Sequence, residues 1–224
     1  MSQWVIFIPR PAAVANLKDS GEKGLPDQAK TWVDHSDGKL LESNIKLAGA
    51  NTLPTNVLSS QDARLYIMGG HCKEGRNYLT WPGESNQLCC HQVGDALVAA
   101  GLPTTFAGQV KVYSCLSADN KGSAVAFAKL FAIYLKHLGF NSCRVFGYTG
   151  AVSKGYVNSG TEKEPLGQVK KTVFKQPDEL GKGYHRYALV PGGYGPRGKN
   201  AKKEFTVSPG TAIQIAHCNI CNRF

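Results

Sequence analysis

Short apolar runs alternate with helix-like segments in the middle of the chain. Residues 64–69, 109–114 and 142–148 have the β-branched and aromatic character of buried strands. Each of the first two runs is followed by a segment whose apolar positions recur every three or four residues, the pattern of an amphipathic helix. This alternation predicts a parallel sheet with right-handed crossovers and helices on its faces.

Both predicted helices carry end signals. The first lies within residues 86–102, where Gly101 suits the C-terminal cap. The second lies within residues 122–140, where Ser123 can cap the start and Gly139 the end. Its apolar stripe consists of Ala124, Phe127, Phe131, Tyr134, Leu135 and Leu138.

The flanking parts of the chain give weaker patterns. Residues 3–9 predict an early buried strand, which ends at Pro9. Segments 29–35 and 38–49 are either short helices or hairpin arms. Later strands are predicted over residues 169–174, 184–193 and 210–218.

These elements predict a single domain of the α/β class spanning residues 1–224. We expect a three-layer α/β/α sandwich with a mainly parallel central sheet. Its most recognisable part is 64–152, and 153–224 supplies basic loops and edge strands.

A histidine and a cysteine follow the first two strands of the predicted sheet. His71 comes after the glycine pair that ends the first strand, and Cys115 comes directly after the second. Because ligand sites form at the carboxyl ends of parallel strands, neighbouring strands would bring the two residues to one crevice. A thiolate is a nucleophile, and an imidazole can lower the thiol pKa or protonate a leaving group. The sequence therefore predicts a Cys–His dyad.

The residues around the dyad are suited to assist it. Gly69 and Gly70 let the backbone turn sharply and approach a substrate, and backbone N–H groups at the strand exits can hold an oxyanion. Ser114 and Ser117 flank the thiol and can donate hydrogen bonds. Considered alone, a cysteine at a strand end can also be a small buried apolar residue with no chemical role.

The net charge of +10 favours an anionic partner, although a soluble protein with a basic surface fits it slightly better than a dedicated anion binder does. The seven cysteines are an odd number and are scattered, unlike the disulfide framework of a small secreted domain. No basic segment precedes the first apolar run, and no stretch is long enough to span a bilayer. We expect a cytoplasmic protein in the producing cell, and delivery into a target cell by a specialised secretion system stays open.

A second group of cysteines and histidines has the residue types of a zinc site. Cys218 and Cys221 form a pair with a two-residue spacer, His217 adjoins it, and the run Cys89, Cys90 and His91 could supply the other half. The two halves lie far apart in the sequence. The spacing therefore favours reduced thiols, with no metal and no cofactor, over zinc or a disulfide formed after export.

Residues 64–152 resemble the caspase-like, or clan CD, cysteine peptidases. In that family one strand ends in a His-Gly pair and the next ends in the nucleophilic cysteine, which correspond to His71 and Cys115 here. The family's oxyanion hole uses the N–H of the cysteine and of the glycine after the histidine, a position that Cys72 occupies, and Gly70 precedes the histidine. The resemblance implies a thiol protease, a hydrolase that acts on protein or peptide substrates.

Small bacterial effector, toxin-type and adhesin domains of that fold are the nearest in appearance. Some toxin-type relatives are activated by inositol hexakisphosphate in a basic cleft, which the net charge permits. Two other functions stay open: a non-catalytic basic module on the same fold that binds nucleic acid or an inositol phosphate, and a zinc-stabilised interaction domain.

Overall fold

The structure is a computed structural model that describes residues 3–18, 23–34, 36–73, 76–83, 85–149, 151–152, 187–190, 193–197, 202–206, 218 and 220–221. The strands are β1 (Trp4–Ile8), β2 (Leu40–Leu47), β3 (Arg64–Ile67), β4 (Tyr78–Thr80), β5 (Gln87–Cys89), β6 (Gln109–Val112), β7 (Arg144–Tyr148), β8 (Ala151–Val152), β9 (Tyr187–Val190), β10 (Gly193–Arg197) and β11 (Lys202–Phe205). The helices are α1 (Ala12–Ala15), α2 (Leu25–Lys30), α3 (Thr55–Leu58), α4 (Cys90–Ala99) and α5 (Phe127–His137).

Six strands form the central sheet, in the order β2, β1, β3, β6, β7, β11. The first five are parallel to one another, and β11 pairs antiparallel with β7 at the edge. Two small antiparallel sheets, β4–β5 and β8–β9–β10, lie outside it. The predicted α/β class and mainly parallel sheet are confirmed at this level.

Alternate side chains of the strands face opposite sides of the sheet, and each side has its own core. Val5, Phe7, Leu65 and Ile67 pack with side chains of α3, α4 and α5. Trp4, Ile6, Tyr66 and Met68 pack with α1, α2 and Trp32 on the other side. Because both faces are covered, the inner strands β1, β3 and β7 read as nearly continuous apolar runs rather than as alternating ones.

Residues 38–49 form an edge strand and not the helix or hairpin arm that the sequence suggested. β2 pairs parallel with β1, which a hairpin cannot do, so the intervening residues cross over the sheet. Asn44 is buried and its side-chain amide donates to the Trp4 carbonyl at 3.4 Å, which helps to seat this polar stretch at the edge.

Both predicted crossover helices begin later than expected. Residues 87–89 pair with β4 as a hairpin, so α4 starts only at Cys90. α5 starts at Phe127 and not near Ser123, because the side-chain oxygen of Asn120 accepts the Ala126 N–H at 2.8 Å and holds the preceding loop. The two helices end next to Gly101 and Gly139, which have φ of +84° and +93°.

The later predicted elements are covered only in part. β9 confirms a strand within residues 184–193. The predicted strand over 169–174 and residues 210–217 of the last one lie outside the described residues. Within the described ranges, no helix combines the length and apolar character needed to cross a membrane.

Candidate functional site

The register of the sheet places His71 and Cys115 beyond the same ends of two neighbouring strands. β3 and β6 are adjacent and parallel, as predicted, and Ile67 lies opposite Val112. Cys115 stands three residues after Val112, and His71 stands four residues after Ile67. Both residues therefore leave the sheet at its carboxyl edge, where sites form in open α/β sheets.

The turn after the Cys115 thiol has a strained backbone. Leu116 has φ of +54°, a left-handed conformation that costs a residue with a side chain about 1–2 kcal/mol. Cys115 itself is half-buried, and its side chain packs at the border of the aromatic core that contains Trp32 and Tyr113. Backbone strain of this kind is concentrated at functional sites in proteins.

The β4–β5 hairpin fixes the backbone of His71. The His71 N–H donates to the Thr80 carbonyl at 2.8 Å, and the Thr80 N–H donates to the His71 carbonyl at 2.8 Å. The imidazole lies 5.6 Å from the Trp81 ring, centroid to centroid. Gly70 has φ of +108°, and a Cβ there would overlap the Thr80 carbonyl oxygen. The glycine is thus required for the hairpin to close on the end of β3.

Gly70→Ala is expected to lower the free energy of unfolding by more than Gly49→Ala. Both glycines have positive φ, but a Cβ at Gly49 meets nothing within 4 Å. Positive-φ strain alone is worth about 1–3 kcal/mol. The Gly70 variant should exceed the control because of the added overlap with Thr80. Urea denaturation of both variants measures the difference, and equal losses would contradict the close approach of the hairpin.

A buried arginine ties this hairpin to the sheet. Arg10 is 3% exposed and donates to the carbonyl oxygens of Gly69 at 3.1 Å, Leu79 at 3.2 Å and Asn86 at 3.1 Å. Burial lowers its pKa to about 10, so it stays charged at neutral pH. Sequence reasoning missed this residue. Its only signal is a lone cation between Pro9 and Pro11, directly after a buried strand.

Cys72 is a buried thiol and not an exposed second nucleophile. Its sulfur donates to the carbonyls of Lys73 at 3.5 Å and Arg76 at 3.7 Å. Burial is the main cause that raises the pKa of the Cys72 thiol to about 12.

Stability is expected to fall as the pH rises from 9 towards 12, with Cys72 contributing. The unfolded thiol loses its proton near 9.0, whereas the folded thiol keeps it until about 12. In this window the unfolded chain binds fewer protons, so stability drops by up to about 1.4 kcal/mol per pH unit. Cys72→Ala should flatten the decline measured by urea denaturation at successive pH values. A variant that declines as steeply as the parent protein would contradict this.

The two serines near the thiol have different surroundings. Ser117 donates to the Val112 carbonyl at 3.0 Å and accepts the Tyr148 N–H at 3.0 Å, so its hydroxyl joins β6 to β7. The assisting role of Ser117 stays a prediction. The Ser114 hydroxyl is fully buried and has no hydrogen-bond partner among the described residues.

Four potential metal ligands converge at the start of α4. The ligand atoms of Cys89, His91, Cys218 and Cys221 all lie within 4.8 Å of one another, and His91 Nδ1 is 3.2 Å from Cys221 Sγ. The sequence favoured reduced thiols and no metal because the two halves of this group are so far apart. The fold brings them together. His217 lies outside the described residues.

Local hydrogen bonds affect the thiols of this group. Burial raises the pKa of the Cys89 thiol well above its ordinary range. Burial also acts to raise the pKa of Cys218, but the backbone N–H groups of Cys221 and Ile220 donate to its sulfur and hold that pKa below its ordinary value. Backbone N–H donors of this kind stabilise a thiolate.

The basic region predicted from the sequence lies mostly outside the described residues, which omit 153–186 and 198–201. On the adjoining sheet edge, Arg144 makes a two-pronged ion pair with Glu204, with N–O distances of 2.8 and 2.7 Å. That pair joins β7 to β11. The predicted anionic partner stays a prediction.

Comparisons with protein-family models, with curated proteins and with solved structures gave no significant match. The resemblance of residues 64–152 to caspase-like peptidases therefore stays a prediction.

Proposed function

We propose that the protein is a caspase-like cysteine peptidase with Cys115 as nucleophile and His71 as its acid–base partner. The register of β3 and β6 supports this most directly, because it brings the residues after both strands to one edge of the sheet. The strained turn after Cys115 and the hairpin that fixes His71 add to it. Each is a device that holds a reactive side chain in place.

The proposed reaction proceeds in two stages. The Cys115 thiolate forms a C–S bond to the carbonyl carbon of the scissile peptide, while the carbonyl π electrons move to oxygen. Collapse of this intermediate breaks the C–N bond, and protonated His71 gives its proton to the leaving amine. Water then adds to the thioester with His71 as base, the C–S bond breaks, and the acid product and the thiol are released.

Cys72 is compatible with a role for its backbone N–H in the oxyanion hole. The described non-glycine residues with positive φ are Asp37 and Leu116, so Cys72 occupies the family's glycine position without left-handed strain. Its side chain is buried in the core that also contains Leu79 and Val112. The N–H groups of Cys72 and Cys115 are the donors that the resemblance implies.

Most of the other cysteines are poor competitors for an electrophile. Burial raises the pKa of Cys72 to about 12, of Cys90 to about 12 and of Cys143 to about 11. These thiols stay protonated at neutral pH, and only the thiolate reacts quickly. Cys115 is half-exposed at the strand exit, where an electrophile can reach it.

Brief alkylation with limiting iodoacetamide at neutral pH tests the proposal. Mass-spectrometric mapping should find Cys115 modified before Cys143, which is the matched half-buried control. His71→Ala should slow the modification of Cys115 without changing that of Cys143. Preferential modification of Cys72 or Cys221, or an unchanged Cys115 rate in His71→Ala, would count against the dyad.

A further inference from the structure

We propose that Cys89, His91, Cys218 and Cys221 bind one structural Zn²⁺ ion. Three thiolates and one imidazole are a standard ligand set for structural zinc. The proposal rests on the convergence of these side chains and on their chemistry. It does not depend on the proposed peptidase activity.

The spacing of the ligand atoms fits a single tetrahedral ion. With ordinary Zn–N and Zn–S bond lengths, a tetrahedral site separates nitrogen from sulfur by about 3.6 Å and two sulfurs by about 3.8 Å. The distance from His91 Nδ1 to Cys221 Sγ is 3.2 Å, and all the ligand atoms lie within 4.8 Å of one another. Small side-chain rotations are enough to reach the coordinated geometry.

The donor set and its burial identify the metal and its role. Magnesium and calcium take oxygen ligands, whereas soft thiolates with imidazole suit zinc. Cys89, His91 and Cys218 are 0%, 1% and 3% exposed, and Cys221 is half-buried. Four protein ligands leave no open position for a substrate, which is typical of a structural site and not of a catalytic one.

The surrounding structure holds the first two ligands in place. Cys89 is the N-cap of α4: its sulfur accepts the Gln92 N–H, and its own N–H donates to the Gln92 side chain at 3.0 Å. The His91 ring packs edge-on against Tyr134 at 4.5 Å, and the Tyr134 hydroxyl donates to Asp95 at 2.7 Å. The site is therefore largely formed before an ion enters it.

Gly94 makes room for the contact between His91 and Tyr134. A Cβ at Gly94 would lie 2.7 Å from the Tyr134 ring, so α4 and α5 can approach only because this position lacks a side chain. Gly94 and His91 are three residues apart in α4 and lie on one face of the helix. The packing of α4 on α5 thus fixes the orientation of the imidazole.

A bound ion would tether Cys218 and Cys221 to the hairpin that holds His71. Cys89 lies opposite Tyr78 in the hairpin, and Gln87 lies opposite Thr80. Thr80 in turn exchanges two backbone hydrogen bonds with His71. Zinc at Cys89 would therefore stiffen the hairpin two residues away from the contact with His71.

Metal analysis of the full-length protein, prepared with zinc and freed of excess by gel filtration, tests the proposal. We expect one equivalent of zinc, and replacement by Co²⁺ should give the intense visible absorption of a tetrahedral thiolate site. Cys221→Ser should lose tight zinc binding. Cys90→Ser is the matched control, because this neighbouring thiol belongs to the hydrophobic core and is not one of the four convergent ligands, and it should keep the metal.

Several outcomes would overturn the zinc site. The first is a parent protein that binds no metal, and the second is a parent protein that holds copper or iron in place of zinc. The third is an intact mass lower by two hydrogens, which reveals a disulfide. The fourth is zinc that folded Cys221→Ser retains. If Cys221→Ser does not fold, the cobalt spectrum of the parent protein decides alone. An octahedral spectrum without thiolate charge-transfer bands would then exclude the proposed ligands.

Discussion

Cys115→Ala is expected to lower the rate of peptide-bond hydrolysis by about four to six orders of magnitude, while the protein stays folded. The thiol supplies the bond-forming sulfur of the proposed reaction, and alanine has no nucleophile. Cys115 lies only at the border of the aromatic core, so removal of its sulfur should change the free energy of unfolding by about 0.5–1 kcal/mol. Turnover of a fluorogenic peptide library and urea denaturation provide the two readouts.

His71→Ala should lose nearly as much activity, and the double variant should lose little more. Members of one catalytic unit fail together, because either loss removes the same rate-limiting chemistry. Cys143→Ala is the matched control, since it removes a half-buried thiol on the opposite face of the sheet. Unfolding of Cys115→Ala would identify the thiol as a packing residue. Activity that persists in folded Cys115→Ala would favour a non-catalytic binding module.

The sequence predicts the inner strands of the sheet, β1, β3, β6 and β7, because they are buried on both sides, whereas the more exposed edge strands β2 and β11 give weaker patterns. The apolar runs of the inner strands are dense, and the helices between them force parallel pairing, so the adjacency of β3 and β6 followed from local patterns. The positions of His71 and Cys115 at one sheet edge followed from that adjacency. The apolar pattern does not predict the distance between the two side chains, because that distance depends on the loops after the strands.

The elements that the sequence missed are short or depend on distant contacts. β4 and β5 have three residues each, too few to show a strand period, and residues 87–89 merged with the helical pattern that follows. Ser123 precedes an apolar stripe and so predicts a helix cap, but a hydrogen bond from the Ala126 N–H to the Asn120 side chain holds the loop, and α5 starts later. Local propensity gave way to tertiary contacts in both places.

The candidate metal centre shows the same limit at longer range. His91 and Cys221 are separated by 130 positions, and no local pattern relates them. The residue types and the two-residue spacer were visible in the sequence, and only the fold brings the halves within reach. Arg10 escaped notice for a related reason, because its three acceptors are backbone carbonyls and leave no trace in the sequence.

Arg10→Met is expected to lower the free energy of unfolding by about 3–5 kcal/mol. Methionine fills much of the same volume but cannot donate to the three carbonyls that Arg10 serves, and a buried carbonyl without a partner is destabilising. Arg10→Lys should also lose stability, because one ammonium cannot reproduce the fork of the guanidinium. Arg64→Met is the control, since Arg64 is only half-buried. Urea denaturation measures all three.

Folded Arg10→Met molecules should also have a less rigid candidate active site than the parent protein. Arg10 joins Gly69 at the end of β3 to Leu79 and Asn86 of the hairpin, and that hairpin fixes the backbone of His71. Without these bonds the hairpin should exchange its amide hydrogens faster, and Cys115 should react more slowly with iodoacetamide as His71 moves away. Unchanged exchange in residues 78–89, together with full stability, would show that Arg10 holds neither the hairpin nor the site.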